Sequence, residues 1–232
     1  GLTAGRSTRM TAKTRVSAKV RAAGAAVAGV DAVMKGETST VFCAVRPPGH
    51  HATADAAMGF CLINSVAVAA AYALDRHGLE RVAIVDFDVH HGNGTQAIFY
   101  NEPRVAYFST HESGIYPFTG SPYERGVGNV LNALLPPGTG GFRFRNVWLD
   151  SMLPALDAFR PQLLLISAGF DAHMRDPLAD LMLETEDFGW LTRELRTIAN
   201  RHASGKVVSV LEGGYDLVAL RECSVAHVDE LC

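Results

Sequence analysis

The sequence predicts an α/β fold, a three-layer αβα sandwich around a mostly parallel central sheet. Short apolar runs alternate with helix-patterned segments, the order that lays helices on both faces of a parallel sheet. The 232 residues are 48% apolar, enough for one domain of this class with a sizeable core. Groups capable of chemistry sit just after the apolar runs, at the carboxyl edge where open α/β sheets bind ligands.

The elements follow in order. Val16–Lys35 is patterned as a helix and is stopped by Gly36. Thr40–Val45 is a strand, and Leu62–His77 a helix with Gly78 as its C-terminal stop. Arg81–Phe87 is a strand, Gly94–Tyr100 a short helix and Arg104–Ser109 a further strand. His111–Gly128 is rich in Gly, Pro and Ser and is expected to be a long loop, with His111 and Glu112 solvated on it. Asn129–Leu135 is extended up to Pro136-Pro137, and Phe142–Phe159 is mostly helical. Gln162–Ser167 is an apolar strand, and Glu186–His202 a helix whose first turn is acidic, as the helix dipole favours. Lys206–Leu211 is the last strand and Leu217–Leu231 the last helix.

Composition excludes several classes. Charged residues are 19% of the chain, too few for long disorder, and the net charge of −3 gives no general affinity for nucleic acid. No run reaches the ~18 apolar residues of a membrane span; Ala22–Val33 is interrupted by Gly24, Gly29 and Asp31. Cys43, Cys61, Cys223 and Cys232 lack metal-type spacing and suit buried, reduced thiols in a cytoplasmic protein. Arg6, Arg9, Lys13, Arg15, Lys19 and Arg21 all precede the first acid, Asp31. That basic run suits a solvated helix face or a domain edge better than an organelle transit peptide.

The chemistry concentrates in four segments: RPPGHH (46–51), VDFDVHHGNG (85–94), SAGFDAH (167–173) and LEGGYD (211–216). In an extended strand residues i, i+2 and i+4 share a face, so Asp86, Asp88 and His90 fall together if Arg81–His90 runs as strand into loop. Asp88 and His90 could then grip one ion, and Asp86, one step deeper, could orient an imidazole from another loop. With Asp171 they make a sufficient ligand set for a catalytic zinc, two carboxylates and an imidazole. An Asp-x-His alone is common and proves little; its company here is what weighs. His50-His51 could merely cap a segment, but Pro47-Pro48-Gly49 stiffens the approach and suits fixed imidazoles that move protons. A tyrosine after two glycines, as Tyr215 is, can be a turn filler, and Phe60 could equally be core.

RPPGHH, DFDVHHGNGTQ, AGFDAH and EGGYDL, in that order, resemble the histone deacetylase family, including its bacterial amidohydrolase members. The resemblance is clearest over residues 21–232 and implies an arginase/deacetylase-like fold. It implies hydrolysis of an N-acetyl amide, most plainly acetyl-lysine in proteins or peptides, with an acetylpolyamine or other small amide as the alternative. Zinc would sit on Asp88, His90 and Asp171. His50 and His51 would be the proton-transfer pair, with Asp86 behind His50 and Asn93 behind His51; asparagine at 93 is similar to class II members. Tyr215 would be the catalytic tyrosine, donating to the developing oxyanion, with Gly213 and Gly214 beside the substrate. Gly59 and Phe60 match one wall of a narrow substrate tunnel, and Tyr116 the opposing aromatic wall. Leu178 matches a rim position that is acidic in polyamine-preferring relatives. Asp86 and Ser109, with nearby carbonyls, match a potassium site.

The resemblance further implies one catalytic domain over 1–232 that lacks its N-terminal part. An acidic residue that holds the substrate backbone is expected near Ser7–Met10, where this chain has no acid. An incomplete, inactive fragment or a noncatalytic acyl-ligand binder is the competing class. The expected partners are acylated proteins, peptides or polyamines, with no nucleic acid or membrane, and an oligomer remains open.

Overall fold

A computed structural model of the protein describes residues 12–232. Ser7–Met10 lie outside them, as do Arg6 and Arg9 of the basic run. The chain order is α1 (Ala12–Met34), β1 (Thr40–Cys43), α2 (Ser65–His77), β2 (Val82–Asp86), α3 (Asn93–Phe99), β3 (Val105–Glu112), β4 (Val130–Leu135), α4 (Gly141–Val147), a π-helical turn (Trp148–Met152), α5 (Leu153–Phe159), β5 (Leu163–Ala168), α6 (Thr185–His202), β6 (Val207–Leu211) and α7 (Leu217–Leu231).

Six strands form one sheet in the order β1-β6-β5-β2-β3-β4, with every pairing parallel. Successive residues of a strand point to opposite faces. Ala83, Val85, Phe108, Leu164 and Ile166 pack beneath Trp148, Leu156, Phe188 and Leu191 of the helices between β4 and β6. Val82, Ile84, Val105, Leu163 and Leu165 meet Ala26, Val30, Val66 and Ala70 of α1 and α2 on the other side. The three layers follow, and so do the unbroken apolar strands, because both faces of the sheet are covered.

Helix ends obey local rules. Asn64 caps α2 by accepting from the Ala67 N–H at 3.0 Å, and Gly78 closes it in the left-handed conformation. A capping box of Glu184 and Asp187 starts α6. Three departures from the sequence reading have physical causes. The helix expected over Phe142–Phe159 divides at the π turn: Pro154 has no N–H to give, and the Leu153 N–H bonds five residues back, to Trp148. Strand β3 runs on to Glu112, because His111 and Glu112 pair with Leu134 and Leu135 of β4. Those two polar residues are therefore buried rather than solvated on a loop. Strand β2 stops at Asp86, so strand alternation does not bring Asp88 and His90 together; the loop after it does.

The topology fixes where a site can form. From β2 the chain leaves through α3 toward β3, on the face of α1 and α2. From β5 it leaves through α6 toward β6, on the opposite face and in the opposite direction. Adjacent strands with diverging connections leave a crevice at their carboxyl ends. Among the described residues no helix is long and apolar enough to cross a membrane.

One buried histidine predicts acid sensitivity. His227 of α7 is fully buried, with Nδ1 2.7 Å from Thr192 Oγ1 and Nε2 2.8 Å from Ser209 Oγ, against the rings of Phe42, Phe87 and Phe170. Burial pushes its pKa down to about 3. The unfolded chain takes up a proton near pH 6.5 that the folded chain refuses, so stability is full above that pH and declines as pH falls toward 3. His227→Gln should remove about 2 kcal/mol of the stability lost between pH 7 and pH 5. Urea unfolding at the two pH values checks it; an undiminished loss in the variant would contradict it.

Candidate metal centre and active site

Loops from the carboxyl ends of β1, β2, β3, β5 and β6 converge over the crevice between β2 and β5. Asp88 and His90 come from the loop after β2 and Asp171 from the loop after β5. One ligand atom from each lies within 4.8 Å of the other two. His90 Nδ1 is 3.1 Å from Asp88 Oδ1 and 3.2 Å from Asp171 Oδ2. Ligands about 2.0–2.1 Å from one tetrahedral ion stand roughly 3.3 Å apart, so the trio fits a zinc-sized ion.

Backbone amides hold the two carboxylates. The Gly213 N–H donates to Asp88 Oδ2 at 2.8 Å, and the Val89 N–H to Asp171 Oδ1 at 2.9 Å. Gly213 has to be glycine, since a Cβ there would lie 2.1 Å from Asp171 Oδ2 and 2.6 Å from Asp88 Oδ2.

The two histidines stand beside this trio with ring centroids 4.1 Å apart. His50 Nδ1 meets Asp86 Oδ2 at 3.0 Å, and His51 Nδ1 meets Asn93 Oδ1 at 2.8 Å. Each ring therefore turns its other nitrogen away from its partner. Both rings are almost wholly buried.

Tyr215 and Phe60 face each other with centroids 6.3 Å apart, and Phe60 is exposed at the surface rather than part of the core. Tyr116 stands edge-on to His51 at 5.1 Å. Gly59 is wedged between those two rings: a Cβ on it would be 2.3 Å from His51 Cδ2 and 2.9 Å from Tyr116 Cε1. Leu178 is half exposed, and Gly214 has φ +133°. Ser109 is buried beside Asp86 across the β2–β3 register, with its hydroxyl 2.9 Å from His111 Nδ1.

Charge is the dominant physical fact of the site. Asp86, Asp88, Asp171 and Glu212 are all at most 1% exposed. Burial and the neighbouring Asp88 push Asp171 up to about 7. Burial would also raise Asp88, but His50 and His90 outweigh it and hold that carboxyl below its usual range. Burial disfavours the cationic form of His90, yet its bonds to Asp171 and Asp88 carry it up to about 10. A divalent cation between these groups would relieve the carboxylate repulsion and displace the imidazole proton. His50 is raised because the carboxylates of Asp88, Asp86 and Glu212 overcome its burial. His51 falls to about 3, through burial and then the charge of His50. Burial, then Asp88 and Asp171, raises the Tyr215 phenol, so its hydroxyl stays a donor.

Sequence reasoning missed four contributors. Glu212 accepts from the Gly49 and His50 N–H groups at 2.6 and 3.1 Å and from Ser167 Oγ at 3.0 Å, which ties the histidine loop to β5 and β6. Its signal was present, an acid directly after an apolar strand. Tyr107 donates its hydroxyl to Asp86 at 2.9 Å from inside β3, and Asp176 accepts from the Tyr215 N–H at 2.8 Å. Cys61, read as having no metal-type partner, lies with His50 and Glu212, their ligand atoms within 4.8 Å of one another.

Comparison with known proteins gives the family and the fold. A family model described as the histone deacetylase domain matches residues 3–231. The histone deacetylase-like amidohydrolase of Pseudomonas aeruginosa is 45% identical over 214 residues, covering 90% of this chain and 56% of that protein. Histone deacetylase 14, chloroplastic, of Arabidopsis thaliana is 42% identical over 208 residues, covering 86% of this chain and 49% of its own length. The crystal structure of the HDA15 HD domain superposes with a TM-score of 0.86 at 37% identity, over 92% of this chain and 62% of that one. The chain spans about half the length of the curated relatives it matches. On a family match that runs through nearly all of its residues, the chain belongs to the histone deacetylase family.

Proposed function

We propose that this chain hydrolyses an N-acetyl amide, with acetyl-lysine in proteins or peptides as the first substrate class, releasing acetate and a free amine. The observation that carries the reading is the juxtaposition of a three-donor cation site, two oriented imidazoles and a phenol donor over one crevice. Zinc on Asp88, His90 and Asp171 would polarise the acyl carbonyl and lower the pKa of an attacking water. The remaining work falls to side chains of this chain. His51, held neutral and aimed by Asn93, accepts a proton; His50, held basic by the carboxylates of Asp88, Asp86 and Glu212, carries one to the departing nitrogen as the C–N bond breaks. The Tyr215 hydroxyl donates to the oxyanion that forms on the acyl carbon. Gly59, Phe60 and Tyr116 leave an aromatic-walled approach suited to an alkyl chain, with Gly213 and Gly214 at its inner end. Potassium at Asp86 and Ser109 belongs to the same reading; since Asp86 already serves His50 and Tyr107, carbonyl oxygens would supply most of its ligands.

The test is deacylation by the zinc-loaded chain, with acetyl-lysine peptides and acetylpolyamines compared side by side. Turnover of neither class would overturn the proposal.

The half-exposed Leu178 favours peptides over polyamines, because an apolar rim gives no electrostatic reward to a second ammonium. Leu178→Glu should shift the ratio of specificity constants toward acetylspermidine by about tenfold, the worth of one partly desolvated charge-assisted contact. A parent enzyme that already prefers acetylspermidine, or a folded, zinc-loaded variant with the same ratio, would refute this.

A further inference from the structure

A cavity of about 270 Å³ is lined in part by Tyr116, whose ring also stands edge-on to His51 at 5.1 Å. Its chemistry is one-sided. Glu112 and Glu124 line it, and among the described residues no lysine or arginine does. Glu112 is only 3% exposed; its Oε2 accepts from the Asp180 N–H at 2.8 Å, while buried Oε1 has no hydrogen-bond partner in the protein. An unpartnered buried carboxylate oxygen costs stability unless a donor reaches it. Glu124 is partly exposed and holds the Gln96 amide. His91 and His111 also line the cavity, but each ring has both nitrogens engaged within the protein, His91 by Thr119 and Gln96 and His111 by Ser109 and Gly120. Neither offers a ligand a free nitrogen. Tyr116 and Phe118 are also among the lining residues.

Two carboxylates beside two aromatic residues suit an organic cation, which aromatic rings attract through their quadrupoles and acids through charge and hydrogen bonds. Because Tyr116 lines this cavity and also stands against His51, a cation held here could belong to the same molecule whose acyl-amine lies in the crevice. We infer that this cavity is a specificity subsite that takes an ammonium or guanidinium group of the substrate, supplied by a lysine or arginine flanking the acylated residue. The inference rests on the amide-hydrolase reading above. The distal amine of an acylated polyamine carries the same chemistry, so the experiment includes it.

Acetyl-lysine peptides with arginine, or its neutral isostere citrulline, on either side of the acylated residue would be assayed with the zinc-loaded chain, alongside acetylspermidine and an uncharged acetylated alkylamine of equal length. The parent should favour arginine over citrulline by about fivefold in kcat/KM at low salt. Glu124→Gln and Glu112→Gln should each bring that ratio toward one. Partly exposed Glu124 keeps the test valid should the buried variant fail to fold. Loss of discrimination in the polyamine pair alone would support the subsite and assign it to polyamines. Discrimination that is absent from both substrate pairs in the parent, or survives both substitutions, overturns the proposal. Should no acyl substrate turn over, the hydrolase reading fails separately, and ethylguanidinium titration followed by chemical shifts of the Ile115 and Leu134 methyls decides the subsite. Saturable shifts that vanish in Glu124→Gln uphold it, and flat shifts in the parent reject it.

Discussion

Asp171→Ala should leave the protein unable to retain zinc. The substitution removes one of three donors and the only one contributed by the loop after β5, so the remaining Asp88 and His90 would hold the ion from one loop alone. Elemental analysis after zinc loading and desalting should show about one ion per parent chain and almost none in the variant, with hydrolysis at background. Asp171 also accepts the Val89 N–H, and an unpaired buried N–H costs about 1–3 kcal/mol, so a melting curve must accompany the metal count. A folded variant with undiminished zinc would show that Asp171 is not a ligand.

The second large effect belongs to a single oxygen atom. Tyr215→Phe keeps the ring that faces Phe60 and deletes only the hydroxyl. Turnover of an acetyl-lysine peptide should fall by a factor on the order of 10²–10³, the usual worth of one oxyanion donor. The hydroxyl is no ligand of the proposed ion, so zinc content and hydroxamate binding should persist. Parent-level turnover in the variant would remove Tyr215 from the oxyanion-stabilising role.

The first experiment rests on residues that the amino-acid sequence singles out by itself, and the reason is chemical, whereas Tyr215 is singled out only through the family resemblance. Asp88, His90, Asp171, His50 and His51 follow apolar runs, and an apolar run that ends in ionisable residues marks the carboxyl edge of a parallel sheet. The strands themselves are legible because burial on both faces makes them uniformly apolar. Less visible is anything that depends on partners distant in sequence. Nothing local says that β3 continues through His111 and Glu112, since the reason is the neighbouring strand β4. The π turn at Trp148–Met152 comes from a proline that sequence patterning alone takes as compatible with helix. Tyr107 and Asp176 work through bonds 21 and 39 residues away in sequence. Asp88 and His90 do group together, although the strand alternation expected to produce that grouping ends at Asp86.

The carboxylate of Asp176 has a consequence for how this surface can change. Its two oxygens bind two main-chain N–H groups, that of Leu178 at 3.1 Å and that of Tyr215 at 2.8 Å. The residue at the lip and the residue bearing the phenol thus hang from one pivot, though they lie 37 positions apart in sequence. A substrate that levers Leu178 outward pulls on the same carboxylate that sets the height of the Tyr215 main chain. On the proposed reading, displacement of Leu178 would carry over to the Tyr215 hydroxyl, and misplacement of a reacting group by about 1 Å can cost on the order of a hundredfold in rate. Selection for a new substrate at position 178 would therefore act on turnover as well as on affinity.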